Sequence, residues 1–217
     1  MILLASKSSG RLATLRAAGV DPLVRVSSVD EEAVLGELFQ RRRDAGLTAP
    51  SAAEQVQALA RAKALDVMAS TDPQEAEVVV GCDSMLEIAG QVVGKPADAA
   101  QARERWRMMS GGTGTLHTGH FLVRTADGAT AEGVSSATIR FGSPSPAEVE
   151  AYIASGEPLW CAGAFTIDGL GGAFIEGIDG DPHGVVGISL PLLRRLLADL
   201  GVRWTDLWAP SAGRGTD

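Results

Sequence analysis

The apolar positions along the chain form short unbroken runs that alternate with helical stripes. Unbroken runs at residues 2–5 and 78–80 predict strands buried on both faces, because a half-exposed strand would alternate polar and apolar residues. A capping box at Ser51 and Glu54 opens a long alanine-rich helix that extends to about residue 70. The alternation predicts an α/β protein with a mixed central sheet flanked by helices.

The second half of the chain continues this pattern without an internal repeat or a long linker. Residues 115–123 and 134–141 predict strands, and residues 191–200 predict the last helix. We therefore interpret residues 1–210 as one domain. The small polar residues 211–217 predict a disordered tail.

The composition is typical of a water-soluble globular protein, with 45% hydrophobic and 21% charged residues in 217. A net charge of −8 argues against a nucleic-acid polymer as partner, since such affinity depends on basic surfaces. Cys82 and Cys161 lack metal-ligand spacing, which favours reduced thiols. We find neither a signal peptide nor an apolar stretch long enough for a membrane span, so we expect a cytoplasmic protein.

A carboxylate and an ammonium converge near the strand at 78–80. The strand is predicted to end at Gly81 and to deliver Asp83 at its carboxyl tip, where α/β sheets usually place ligand chemistry. Lys95 returns from a short hairpin beside Pro96. The pair suits a phosphate-and-metal site; the alternative is a surface Asp and Lys beside an ordinary hairpin.

The first strand leads directly into a helix through a segment rich in hydroxyl groups and cations. Ser6, Lys7 and Arg11 lie at this helix N-terminus, where free backbone N–H groups favour anions. The segment predicts a phosphate cradle, although a well-capped helix with a serine-rich entry is the alternative. Its spacing is not that of a Walker A motif.

Lys63 shares a helix face with apolar residues, because Leu59, Lys63 and Val67 follow one another at intervals of four. A lysine in that position either extends to water or reaches a buried anion. Beside a phosphate cradle, the second interpretation is favoured.

An acidic run, Asp30, Glu31 and Glu32, follows the second predicted strand. Carboxylate oxygens are preferred ligands of Mg²⁺ and Mn²⁺, and Mg²⁺ often combines one or two of them with phosphate oxygens. One of these acids could therefore share a metal ion with Asp83. The alternative is the solvated start of a helix.

Together these motifs resemble the Maf/Maf-like nucleoside triphosphate pyrophosphatase family, in a layout closest to its actinobacterial branch. No single motif is specific, but their order and spacing are, and they extend from residue 4 to residue 197. The motifs are Leu4-Ala-Ser-Lys-Ser-Ser-Gly-Arg11, Val29-Asp-Glu31, Ala62-Lys63-Ala64, Gly81-Cys-Asp-Ser84, Gly94-Lys-Pro96, Thr118-Gly119, Tyr152 to Glu157, Ala162-Gly163-Ala164-Phe165 and Val185-Val-Gly187.

The resemblance implies a cytosolic homodimer with an elongated α/β fold, related to the inosine triphosphate pyrophosphatases, whose two lobes flank a nucleotide cleft. It implies Mg²⁺- or Mn²⁺-dependent hydrolysis of a nucleoside triphosphate to the monophosphate and pyrophosphate. By position, Asp83 is similar to the family's proton acceptor, and Glu31 to the acid that helps to hold the metal. The residues similar to triphosphate ligands are Lys63, Lys95, Ser6 and Arg11.

Several positions depart from the family's usual pattern. Gly10 replaces the first arginine of the phosphate loop. Ser84 and Asp168 occupy two substrate-binding positions thought to select the base, where Thr and Gln are common. Gly114 and Gly184 replace a usual His and Asn. These departures argue against transferring a TTP/UTP preference, and a modified nucleotide stays open as substrate.

A second function is consistent with the same residues. Because the family is also linked to septum formation, the chain could be a nucleotide-binding regulator of cell division without significant turnover. The complete set of acids and lysines favours the enzyme, in a housekeeping role for the nucleotide pool. A Nudix-type pyrophosphatase is excluded, since the chain has no Arg-Glu-x-x-Glu-Glu segment.

Overall fold

A seven-stranded mixed sheet forms the centre of the structure, a computed structural model that describes residues 1–208. The boundary expected at residue 210 and the tail at 211–217 lie outside the described residues. The strands are β1 (Ile2–Leu4), β2 (Leu23–Val24), β3 (Val78–Ile88), β4 (Gln91–Val93), β5 (Thr113–Arg124), β6 (Thr130–Phe141) and β7 (Ile175–Asp179).

Helices cover both faces of this sheet, and serine or aspartate side chains cap their N-termini. The capping box predicted at Ser51 is confirmed, and a second one at Ser145 opens α5. The helices are α1 (Ser9–Ala17), α2 (Glu31–Asp44), α3 (Ala52–Met68), α4 (Ala99–Met109), α5 (Pro146–Ala154), α6 (Pro182–Val186) and α7 (Leu190–Asp199). Short 3₁₀ turns occupy Glu157–Trp160, Ala162–Ala164, Leu170–Phe174 and Trp204–Leu207. No helix within residues 1–208 is long and apolar enough to cross a membrane.

The strand order is β2-β1-β3-β5-β6-β7, with β4 paired to the far end of β3. Strands β2, β1 and β3 run parallel, whereas the remaining pairs are antiparallel. This confirms the mixed α/β sheet flanked by helices.

Strand β3 does not end at Gly81, so the prediction that Asp83 lies at its carboxyl tip was wrong. The parallel pairing with β1 stops at Leu4 and Val80, but β5 continues to pair with β3 as far as Glu87. Because β5 still satisfies the backbone, the strand remains extended. Asp83 therefore lies in the middle of β3, just beyond the carboxyl end of the neighbouring β1.

Helix α3 lies unusually close to the sheet at two glycines. A methyl group at Gly81 would overlap the carbonyl oxygen of Ala60, and one at Gly119 would overlap that of Val56. Gly119 is also the cross-strand neighbour of Asp83. The glycines thus permit backbone-to-backbone contact directly beside the predicted catalytic carboxylate.

An aromatic cluster packs the far half of the sheet. The Trp106 ring meets Tyr152 edge-to-face with ring centroids 5.7 Å apart, and it meets Phe174 in the same way at 5.6 Å. Its indole N–H donates a 2.9 Å hydrogen bond to the carbonyl oxygen of Ala164. This bond fixes the segment after α5 to the core.

His120 links β5 to the start of α7 and is fully buried. Its Nε2 accepts the backbone N–H of Ser189 at 2.9 Å, so Nδ1 carries the proton and donates to the carbonyl oxygen of Thr118 at 3.1 Å. Burial lowers the pKa of His120 from 6.5 to about 4, although the hydrogen bond to Thr118 opposes this shift.

The pKa of His120 predicts a stability loss in mild acid. Between pH 6.5 and about 4 the His120 ring is protonated in the unfolded chain but stays neutral in the folded chain. The free energy of unfolding should therefore fall by about 3 kcal/mol as pH decreases through this range. In His120→Gln, whose amide oxygen can accept the Ser189 N–H, this part of the decrease should disappear. Urea unfolding of both proteins across this range measures the difference; parallel curves would contradict the prediction.

Candidate active site

A cleft of about 1100 Å³ opens where β1 ends and α1 begins. Its walls are the phosphate-cradle segment on one side and residues 157–169 on the other. All the side chains predicted from the sequence line this one cleft: Ser6, Arg11, Glu31, Lys63, Asp83, Ser84, Lys95 and Asp168.

The Lys63 ammonium lies between two carboxylates at the base of the cleft. Its Nζ is 2.6 Å from Oδ1 of Asp83 and 2.7 Å from Oε1 of Glu31. Leu59 and Val67 on the same helix face are buried, so the apolar stripe anchors the lysine stem. Lys63 therefore extends to two of the protein's own carboxylates, while its contact with a bound phosphate stays a prediction.

Asp83 is 8% exposed, and its environment has two opposing effects on the carboxyl group. Burial raises the pKa of Asp83, while the nearby Lys63 and Arg11 charges act to lower it. Oδ1 accepts the hydrogen bond from Lys63, and no side chain or backbone group of residues 1–208 bonds to Oδ2. A buried carboxylate with one free oxygen and a raised pKa is suited to accept a proton.

The start of α1 presents free backbone donors to the cleft. Ser8 caps the helix, its Oγ accepting the N–H of Arg11 at 3.4 Å. The hydrogen bonds among residues 1–208 leave the N–H groups of Ser9 and Gly10 unpaired, and both residues line the cleft. This arrangement is typical of an anion site at a helix N-terminus.

Arg11 is a buried cation, only 8% exposed, and its hydrogen bonds all go to uncharged groups. Its Nε donates to the carbonyl oxygen of Gly187 at 2.7 Å, and its Nη1 donates to Oγ of Ser6 at 2.9 Å. Its Nη2 donates to Oγ of Ser84 at 3.1 Å. No carboxylate of residues 1–208 forms an ion pair with it, so the guanidinium charge lacks a direct counter-ion.

A chain of hydroxyl groups holds Ser84 and Arg11 in place. Thr118 is fully buried and donates to the carbonyl oxygen of Gly184 at 2.8 Å. Because its single proton is used there, its oxygen accepts the Ser84 hydroxyl, also at 2.8 Å. Ser84 in turn accepts from Arg11, so its hydroxyl is committed to orienting that cation.

The lysines of the chain are concentrated in this cleft. The chain contains three lysines, Lys7, Lys63 and Lys95, and all of them line it. Partial burial and the neighbouring cations Lys7 and Arg11 lower the pKa of Lys95. Cations that repel one another in a partly buried site indicate that an anionic ligand belongs between them.

The opposite wall is held by the carboxylate of Glu157. It accepts the backbone N–H groups of Leu170 at 3.0 Å and Gly171 at 3.1 Å, and the hydroxyls of Thr166 at 2.6 Å and Tyr152 at 2.9 Å. Partial burial alone would raise the pKa of Glu157, but these hydrogen bonds lower it overall. One carboxylate thereby fixes the segment that carries the cleft-lining Thr166–Gly169 stretch.

Two departures from the family pattern face each other across the cleft. A Cβ atom at Gly10 would lie 3.9 Å from Oδ2 of Asp168 and 3.1 Å from Cγ1 of Val186. Positions 10 and 168 are therefore neighbours in space although they are distant in the chain.

The donor set fits a divalent cation that shares its coordination with phosphate. Within residues 1–208 no group of three or more His, Cys, Asp or Glu side chains converges. Glu31 and Asp83 nevertheless converge on one positive group, the Lys63 ammonium. Two carboxylates of this kind match Mg²⁺ or Mn²⁺ sites that are completed by substrate oxygens and water.

Sequence reasoning missed three residues that shape the site. Thr118 and Gly187 hold Arg11, directly or through Ser84, and Trp160 lines the opposite wall. Thr118 and Gly187 belong to motifs that supported the family resemblance, which was the available signal. Nothing in the sequence pattern indicated Trp160.

Comparisons with known proteins agree with this architecture. The Maf-like protein family model matches residues 1–200. The "Nucleoside triphosphate pyrophosphatase" of Streptomyces coelicolor is 52% identical, over 97% of this chain and 95% of its own length. Proteins of the same name from Saccharopolyspora erythraea and Rhodococcus opacus are 51% and 52% identical, over 98% of this chain and 99% and 98% of their own lengths.

The hydroxyl chain predicts that Thr118→Val weakens the anion site. Valine leaves the Gly184 carbonyl and the Ser84 hydroxyl without their partner, which should lower the free energy of unfolding by about 1–3 kcal/mol. It should also weaken the binding of inorganic tripolyphosphate, because Arg11 loses its support. Thr118→Ser keeps the hydroxyl and should restore both properties in denaturation and calorimetry. Equal binding by the valine and serine variants would contradict the role of this chain.

Proposed function

This chain belongs to the Maf-like protein family, and from that premise we propose that it is a nucleoside triphosphate pyrophosphatase. It hydrolyses ribo- or deoxynucleoside triphosphates to the monophosphate and pyrophosphate. The observation that carries the proposal is the position of Asp83, a buried carboxylate with a free oxygen, beside a cleft that concentrates all three lysines and Arg11.

The triphosphate binds at the end of the cleft formed by α1 and the lysines. The free N–H groups of Ser9 and Gly10 and the charges of Arg11 and Lys95 together neutralise its oxygens. Ser6 orients Arg11 and contributes its hydroxyl to the same surface. Catalysis of phosphoryl chemistry depends mainly on such positioning and charge neutralisation.

Asp83 activates the attacking water. Its Oδ2 accepts a proton from water as the water oxygen bonds to the α-phosphorus, and the bond from that phosphorus to the bridging oxygen of the β-phosphate breaks. Pyrophosphate leaves with the bridging oxygen. Lys63 donates a hydrogen bond to Oδ1 of Asp83 throughout the reaction and thereby keeps Oδ2 oriented toward the attacking water.

Glu31 and Asp83 are the residues that would hold a Mg²⁺ or Mn²⁺ ion. When bound, such an ion offsets negative charge on the phosphate oxygens. The convergence of both carboxylates on the Lys63 ammonium supports this assignment. Lys63 additionally balances the acids' charge.

The base-binding positions support a preference other than that of TTP/UTP-cleaving relatives. Asp168 faces Gly10 in the cleft, and the Ser84 hydroxyl is committed to Arg11 and Thr118. A modified base is included among the proposed substrates. We further propose a cytoplasmic homodimer that maintains the nucleotide pool, on the strength of the family resemblance.

Asp83→Asn is expected to reduce turnover by about 10²–10⁴-fold, because asparagine cannot accept the proton from water. The fold should persist, since the amide is nearly isosteric and its oxygen can still accept from Lys63. Pyrophosphate release with Mn²⁺ or Mg²⁺ should be measured across canonical, methylated and deaminated triphosphates. Nucleotide binding by the unsubstituted protein without any turnover would instead support the regulator of cell division.

Lys95→Ala should raise KM for the preferred triphosphate by about 10- to 100-fold with a smaller change in kcat. The reason is the loss of a charged hydrogen-bond donor, which contributes about 1.5–3 kcal/mol. Arg107→Ala, which removes an exposed cation paired with Glu104 outside the cleft, is the matched control. Unchanged constants in Lys95→Ala would remove Lys95 from the site.

A further inference from the structure

Trp160 is the most exposed of the large hydrophobic side chains in residues 1–208, at 77%, and it lines the nucleotide cleft. Three other aromatic side chains of this half of the sheet are buried, because Trp106, Tyr152 and Phe165 are each at most 3% exposed. An indole left uncovered inside a ligand cleft has apolar area available for a partner.

Hydrogen bonds on both sides of Trp160 hold the segment that carries it. Trp160 ends the 3₁₀ turn that begins at Glu157, and the carboxylate of Glu157 holds the backbone of Leu170 and Gly171. Beyond Trp160, the N–H of Gly163 donates to the carbonyl oxygen of Gly94 at 3.0 Å. The segment that bears the indole is thus hydrogen-bonded to the loop that carries Lys95.

The chemistry of the cleft differs between its two walls. The free helix amides, Lys7 and Arg11 are on the α1 side and Lys63 is on α3, while Lys95 is on the loop tied to the second wall; residues 157–169 themselves contain no lysine or arginine. The lining of that second wall includes apolar side chains, among them Ala162, Phe165 and Ile167. A nucleotide whose phosphates occupy the cationic end therefore places its base against the wall that bears Trp160.

We propose that Trp160 is a substrate-positioning residue whose indole stacks on the nucleobase of the bound nucleotide. This inference rests on the proposed function, and it assigns the base to the wall formed by residues 157–169. Stacking tolerates any base, because every base has a π-face. Trp160 therefore supplies affinity, while polar groups such as Asp168 remain available for discrimination.

The test measures separately how the base and the phosphates contribute to nucleotide affinity. Calorimetry on chains carrying Asp83→Asn, which suppresses turnover, measures the binding of canonical, methylated and deaminated ribo- and deoxynucleoside triphosphates and of inorganic tripolyphosphate, which has no base. Trp160→Ala should weaken the best-bound nucleotide by about 5- to 150-fold, the range typical of removing an aromatic stacking partner. Its affinity for tripolyphosphate should stay within about twofold, and Trp160→Phe should retain most of the nucleotide affinity.

Trp208 provides the matched control, because it is 53% exposed and packs against Gly19 outside the cleft lining. Trp208→Ala should change neither affinity. In fluorescence, nucleotide should quench indole emission of a Trp208→Phe chain but not that of a Trp160→Phe chain, whereas tripolyphosphate should quench neither.

Each contrary outcome has a distinct meaning. Nucleotide affinity that is unchanged in Trp160→Ala overturns the stacking and leaves the proposed function intact. An equal loss for nucleotide and tripolyphosphate also overturns it, since Trp160 would then act only on the shape of the cleft. If the chains with Trp160 bind no nucleoside triphosphate, the proposed function fails and the stacking fails with it.

Discussion

The close contact between helix α3 and the sheet is the constraint on which the site depends. It exists because Gly81 and Gly119 have no side chains where the carbonyl groups of Ala60 and Val56 approach. Asp83 pairs with Gly119 across the strands, so the carboxylate sits beside the contact. A side chain at either glycine would push α3 away from the sheet and would disturb the 2.6 Å contact of Lys63 with Asp83. Close backbone packing thus brings the helix that carries Lys63 next to the strand that carries Asp83.

Arg11 shows how the same fold holds a charge without neutralising it. Its guanidinium is buried, which is costly for an ion, yet its partners Gly187, Ser6 and Ser84 are all neutral. Hydrogen bonds fix its orientation but leave its charge to act on the cleft. An acidic chain of net charge −8 thereby keeps four cations in one cleft, beside the four carboxylates that also line it. In this arrangement the affinity for an anion arises from a few oriented groups, and the outer surface contributes little.

The sequence predicted most elements and several side chains that line the cleft, but not the geometry that joins them. Capping boxes and apolar periodicity are local signals, so α3 and the position of Lys63 on its apolar face could be predicted. The length of β3 could not, because its continuation past Gly81 depends on pairing with a strand more than thirty residues later. The same limit applies to Thr118, whose importance lies in hydrogen bonds to Ser84 and Gly184 that only the folded chain brings together. The sequence did not indicate a role for Trp160 in the cleft, since an isolated tryptophan near a glycine-rich stretch is as typical of a core residue as of a ligand-binding one.

The spatial pairing of Gly10 with Asp168 changes how the departures from the family pattern should be interpreted. Taken from the sequence, they are separate substitutions in the phosphate loop and the base-binding segment. In the structure a side chain at position 10 would start 3.1 Å from Val186 and 3.9 Å from the Asp168 carboxylate, so positions 10 and 168 are within contact distance of each other. A long cation at position 10 would meet the carboxylate and draw it away from the ligand, whereas glycine leaves both the carboxylate and the helix amide open. The two positions therefore have to be interpreted together, because they are neighbours at one place in the cleft.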